Sequence, residues 1–147
     1  MNQTGPGQAF FSFVRHWSRL SRLGNGSSAR QGRLILVSEA VNALTARGEA
    51  ATINAIASQL GIDQSGASRF VTAAIDAGYM YLRNATGDGR RREVSLTTVG
   101  QDAVRQAQAW QEETFAVLTE GWNEAKCDAF LSAMNELIVR SEYMDFP

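Results

Sequence analysis

Apolar positions along the chain recur at helical spacing in a series of separate runs. From Ala9 to Leu23 the residues Phe10, Phe13, Val14, Trp17 and Leu20 share one face, and Arg15, Arg19 and Arg22 form a separate stripe. Gly24-Asn25-Gly26-Ser27-Ser28 predicts a loop. A second helix follows with Leu34, Val37, Val41 and Leu44 as its buried line, and stops near Gly48. Thr52 is placed to cap a third helix, in which Ile53, Ile56, Ala57 and Leu60 fit the amphipathic template. Gly61 suits the left-handed conformation that ends a helix, Ile62 is an apolar residue inside the turn, and Asp63 is a second N-cap. The next run, Ala67, Phe70, Val71, Ala74 and Ile75, ends at Gly78. Two short helices joined by so tight a turn predict a helix-turn-helix.

After Gly78 the period changes. Tyr79 to Arg83 and Glu93 to Leu96 are rich in β-formers, and the polar stretch Asn84 to Arg92 lies between them with two glycines. This predicts a β-hairpin directly after the helix-turn-helix, which makes it a wing. Thr97 or Thr98 then caps a long helix to Glu120, with Val99, Ala103, Ala107, Trp110 and Val117 inward. Gly121 breaks it, and Asn123 caps a last helix carrying Cys127, Phe130, Leu131, Met134 and Ile138 on one stripe. These two helices and the first lie outside the compact middle and need a partner surface, for which a second copy of the chain is the simplest source. The predicted fold is mainly α: a winged helix-turn-helix with a two-stranded β wing and flanking N- and C-terminal dimerisation helices.

Composition narrows the function. The 147 residues make one domain's worth, and 44% hydrophobic residues are enough for a core. No apolar run is long enough for a membrane span, and Met1 to Gln8 lack a signal-peptide layout, so the expectation is a cytoplasmic, soluble protein. The single cysteine, Cys127, excludes an internal disulfide and a multi-cysteine zinc site. With one histidine, His16, and no phosphate-loop, nucleophile-elbow or zinc-protease motif, no enzyme, cofactor or metal is expected. Ser65-Gly66-Ala67-Ser68 is a helix start with no strand before it, not a nucleophile elbow.

The net charge of −1 hides a division. Residues 1–92 carry eleven arginines against five acids, and residues 93–147 carry three cations against ten acids. The first part suits a polyanion and the second does not. Thirteen of the fourteen cations are arginine, whose planar donors match phosphate and guanine edges.

Three stretches resemble the MarR family of bacterial transcription regulators. Thr52 to Gly61 is similar to that family's first helix-turn-helix helix with its "LA..LG" run, and Asp63 to Val71 to its recognition helix. Asp88-Gly89-Arg90-Arg91-Arg92, followed by Val94-Ser95-Leu96-Thr97-Thr98-Val99-Gly100, resembles its "D.R" wing and the "V.LT..G" leading into the next helix. The likeness runs from about Ala9 to Ser141. Gly66 departs from it where the family often has Thr or Ser, and the wing lacks the proline often found before its acid. Residues 1–8, polar with two glycines, are read as a disordered head, and the resemblance implies a single MarR-like domain at 9–147. Its winged-helix core would span 30–100, with dimerisation helices at 9–23 and 101–143. It also implies a homodimeric repressor of double-stranded DNA with an inverted repeat, relieved by a small lipophilic or phenolic effector bound between the dimerisation helices and the core. Phe13, His16, Trp17 and Trp110 are aromatic residues that would line such a site, or else are core. Cys127 is either a redox sensor or an inert buried thiol; the family's sensing cysteine lies near the N-terminus, where this chain has none.

The reader's chemistry follows from a helical wheel. Ala67, Phe70, Val71, Ala74 and Ile75 face the core, and Gln64, Ser65, Ser68, Arg69 and Thr72 lie opposite. Gln64 suits adenine, Arg69 a guanine or a phosphate, and the helix N-terminus offers amide donors to the backbone. Arg90 is assigned to the minor groove, held by Asp88, with Arg91 and Arg92 on phosphates. Thr52 either touches phosphate or is a plain cap. Arg15, Arg19 and Arg22 lie over DNA, at the dimer seam or simply in solvent. The competing reading is a winged-helix protein–protein interaction module that does not bind DNA.

Overall fold

The computed structural model describes residues 4–22, 26–85 and 88–144. In chain order it contains helices α1 (Pro6–Arg22), α2 (Gly26–Ala46), α3 (Ile53–Leu60) and α4 (Gln64–Asp76). Strands β1 (Met80–Ala85) and β2 (Asp88–Leu96) follow, then helices α5 (Thr98–Leu118) and α6 (Glu124–Glu142). The chain divides into two compact units, 1–107 and 108–147, and the division falls within α5.

The predicted helices are present with shifted ends. α1 opens at Pro6, where Ala9 was expected, and so takes in part of the anticipated head. Proline suits a first turn because its missing N–H has no intrahelical partner there. α2 opens at Gly26, inside the stretch read as a loop. Four side-chain caps fix the other starts. Thr52 accepts a hydrogen bond from the Ala55 N–H at 3.1 Å, Asp63 from Gly66 at 2.8 Å and Asn123 from Lys126 at 2.9 Å. Thr97, not Thr98, caps α5 by accepting from Gly100 at 3.1 Å. Gly61 ends α3 with φ 67°, a conformation that strains any residue with a Cβ.

The core of the first unit is the helix-turn-helix packed on α2 and the wing root. Leu34, Val37, Val41 and Leu44 of α2 meet Ile56 and Ala57 of α3, Ala67, Val71 and Ala74 of α4, and Met80 and Val94 of the hairpin. Phe70 and Ile75, expected inside, are only partly buried and pack against this cluster, as do Ile53, Leu60 and Ile62. Ser38 is the buried polar residue of α2, and its hydroxyl donates to the Leu34 carbonyl at 2.7 Å. The Val94 N–H donates to the Ala51 carbonyl at 2.8 Å, which ties β2 to the segment before α3.

The hairpin is longer than the sequence suggests. β1 and β2 are antiparallel and pair Met80 with Leu96 through Asn84 with Arg92. Asp88 to Arg92 therefore belong to β2, where a loop was expected. The next pair is Ala85 with Asp88, so Gly89, Arg90 and Arg91 intervene on β2 with nothing between Asn84 and Ala85 to match them. Such a bulge bends a strand and re-aims its side chains.

Several positions read as inward are exposed. Val99, Trp110 and Val117 of α5 are open to solvent, as are Phe10, Phe13 and Val14 of α1 and Phe130, Leu131 and Ile138 of α6. Cys127 and Met134 are half-buried, and no residue of α6 is buried. In the second unit the Phe115 ring stacks on Phe130 at 5.5 Å, and Trp122 meets both edge-on. Lys126 Nζ lies 4.2 Å above the Trp122 ring, a cation–π contact. These rings clasp the α5–α6 turn. Among the described residues no helix is long and apolar enough to cross a membrane.

Candidate nucleic-acid interface

α4 is two-faced in the way its spacing predicts. Ala67, Val71 and Ala74 are buried, and the far side presents Gln64, Ser65, Ser68, Arg69 and Thr72, all exposed. The burial of the small residues lets α4 lie close against α2 and α3. The reader face is then held by the core and not by its own contacts. Thr72 is partly committed, since its hydroxyl donates to the Ser68 carbonyl at 2.9 Å; it keeps acceptor capacity for the amino group of a base.

The start of α4 carries the N-cap that its sequence predicts. The Asp63 carboxylate takes the Gly66 N–H and brings a negative charge to the helix N-terminus. A Cβ at Gly66 would stand 2.7 Å from Asp63 Oδ1, so a larger residue there would make the capping carboxylate shift. Asp63→Ala is expected to cost about 1 kcal/mol of stability and Asp63→Asn almost nothing, since asparagine caps equally well. Chemical denaturation of the two variants checks this, and equal midpoints would show that the cap contributes nothing.

Thr52 is half-buried and its hydroxyl oxygen caps α3, so the capping role read from the sequence is the one the geometry displays. In the wing, Arg83 pairs with Glu93 across the two strands at 3.3 Å, which neutralises that guanidinium locally. Arg92 is exposed and, with Leu82, Arg83 and Asn84, lines an open groove of about 410 Å³. The side chains of Asp88, Arg90 and Arg91 lie outside the described set, so the proposed Asp88–Arg90 contact does too; their backbone stands in β2 at and beside the bulge.

The four aromatic candidates for an effector site divide. Phe13 and His16 each contact Trp17 on α1, with ring centroids 6.1 and 5.9 Å apart. Phe13 is exposed and Trp17 half-buried. Trp110 belongs to the second unit and is exposed. Of the α1 arginines, Arg15 is exposed, and the side chains of Arg19 and Arg22 are outside the described set.

One junction was not legible as a site. Tyr79 follows α4 and precedes β1. Its N–H donates to the Ala74 carbonyl at 2.9 Å, and its own carbonyl accepts from the Thr97 N–H at 3.0 Å. Thr97 Oγ1 also donates to the Gly78 carbonyl at 2.6 Å. The start of α5 is so close that Gly100 has no room for a side chain against the Tyr79 backbone. The signal was the glycine closing the Val94 to Gly100 motif, which periodicity alone leaves unexplained.

No family model matches the chain, and no curated protein matches it. Solved structures do. A MarR family transcriptional regulator from Silicibacter pomeroyi DSS is 19% identical at a TM-score of 0.67, over 97% of this chain and 92% of that one. The PcaV transcriptional regulator from Streptomyces coelicolor, solved with its natural ligand, is 16% identical at 0.61, over 94% of each chain. A MepR mutant from S. aureus, bound to an oligodeoxyribonucleotide, is 16% identical at 0.54, over 93% of this chain and 99% of that one. The chain therefore has, over nearly its whole length, the winged-helix fold of these proteins.

Proposed function

We propose that this chain is a MarR-type transcriptional regulator that binds double-stranded DNA sequence-specifically as a homodimer, and that it is a repressor released by a small lipophilic or phenolic effector. The observation that carries this reading is the polar, exposed face Gln64–Thr72 on a helix whose reverse is buried, followed at once by an arginine-bearing hairpin. A fold shared with a protein held on an oligodeoxyribonucleotide and with one holding its natural ligand supports both halves of it.

α4 enters the major groove. Gln64 pairs with adenine, Arg69 with guanine or a phosphate, and Ser65, Ser68 and Thr72 supply shorter contacts. Arg90 enters the adjacent minor groove, where narrow A·T tracts concentrate negative potential, and Asp88 orients its guanidinium. Arg91, Arg92 and Thr52 meet phosphates. Two copies about a two-fold axis place two such readers one helical turn apart, so the operator is an inverted repeat. Phe13, His16, Trp17 and Trp110 supply aromatic surface for the effector, which shifts the dimer between DNA-fitting and non-fitting spacings.

Selection of bound duplexes from a random pool tests the reading, with an enriched inverted repeat as the expected result. On that duplex Arg90→Ala is expected to lower affinity by about 1–3 kcal/mol, the scale of one good contact. An unchanged isotherm removes the wing from the mechanism. Affinity is also expected to fall steeply with salt, by a slope of about 0.9 per phosphate neutralised. Salt-insensitive binding to a protein, with no duplex enriched, would instead identify a protein-interaction module.

A further inference from the structure

Gln31 Nε2 donates to the Tyr79 hydroxyl at 2.7 Å, a contact between residues 48 apart in sequence. Gln31 is exposed and lies before Leu34, the first buried residue of α2 among those described. A directional bond thus ties this exposed position of α2 to the wing root. The other end of the bond is the junction residue already described. Through its backbone Tyr79 touches the last turn of α4 at Ala74 and the cap of α5 at Thr97, and Met80, the first residue of β1, is its neighbour. Its ring is half-buried and packs against the core cluster, so a displacement of its hydroxyl moves a braced lever.

We propose that Gln31 and Tyr79 form a latch that positions the α4 reader and the wing relative to α2, so that DNA affinity depends on a hydrogen bond that touches no DNA. The proposal rests on the DNA-binding reading above. A reader and a wing that enter neighbouring grooves need their mutual angle held tightly, and supporting hydrogen bonds outside the contact surface do this. An exposed hydrogen bond contributes little to global stability. The latch is thus expected to affect binding far more than melting, whereas a merely structural contact would do the reverse. Tyr79 and Gln31 are positioning residues in this account.

The test uses the duplex selected by the wild-type protein and fluorescence anisotropy on Tyr79→Phe, Gln31→Met and the double variant. Each single variant is expected to bind about five- to tenfold more weakly, and the double variant no more weakly than either, because one bond is lost in all three. The slope of affinity against salt stays at the wild-type value, since no phosphate contact is removed. Melting temperatures stay within a few degrees of wild type. Wild-type affinity in the single variants, or losses that multiply in the double variant, overturn the latch while leaving DNA binding in place. A wild-type protein that selects no duplex at all overturns the DNA-binding reading and the latch with it.

Discussion

Gly100→Ala is expected to lower the melting temperature by about 10 °C. A Cβ at this position would fall 2.9 Å from the Tyr79 carbonyl carbon and nearer still to its oxygen, both of them backbone atoms. A flexible side chain can swing away from an intruding methyl; this carbonyl cannot. It accepts the Thr97 N–H, and the residue before it accepts the Thr97 hydroxyl, so moving it breaks the bonds that seat the first turn of α5. Overpacking costs about 1–3 kcal/mol, and contact with fixed backbone puts this site at the upper end of that range. Gly32 supplies the control. It lies in α2 with nothing within 4 Å of a would-be Cβ, and alanine there is expected to raise stability by about 0.5–1 kcal/mol through helix propensity alone. Thermal unfolding followed by circular dichroism compares the two. A Gly100→Ala protein that melts with the wild type would mean that α5 is not seated on the Tyr79 backbone.

The contrast between these two glycines marks how far the sequence could be read. Both sit in stretches of helical pattern, and hydrophobic periodicity does not distinguish them; only the Val94 to Gly100 motif singles out Gly100. Gly100 is special because a carbonyl some twenty residues away in sequence, across the hairpin, approaches it, and such a contact leaves no periodic trace. Caps and turns are different. Thr52, Asp63, Gly61 and Asn123 act on neighbours within a few residues, and each stands in the role its spacing implied. The reader face of α4 was legible for the same reason, since a 3.6-residue period sorts its residues into buried and exposed. The wing was legible only as a hairpin. Its bulge depends on a register between strands, and the run Asp88–Arg92 has no apolar alternation that would have shown it pairing. Phe10, Val117 and Ile138 show the opposite failure. Their spacing says only that they want an apolar neighbour, and within one chain they are exposed.

That exposure leads to the second large effect, in the assembly. Leu131 and Ile138 of α6 are 59% and 53% exposed, beside Leu137 and Val139, and α6 buries no residue of its own. α1 likewise exposes Phe10, Phe11, Phe13 and Val14. A lone chain with such faces would associate, and a two-fold dimer is the closed way to cover them. On the homodimer reading proposed above, light scattering on a sizing column is expected to give twice the chain mass for the wild type and a monomer for the paired substitution Leu131→Glu and Ile138→Glu. Both side chains already face solvent in the single chain, so the core around Ile56, Val37 and Met80 is untouched and the helical circular dichroism should persist. DNA affinity should then fall about a hundredfold or more, because the second half-site is no longer engaged by a tethered copy. The loss should be far smaller on a duplex carrying a single half-site. A variant that stays dimeric with wild-type affinity would place the partner on some face other than α6, and the apolar stripe from Cys127 to Ile138 would need another occupant.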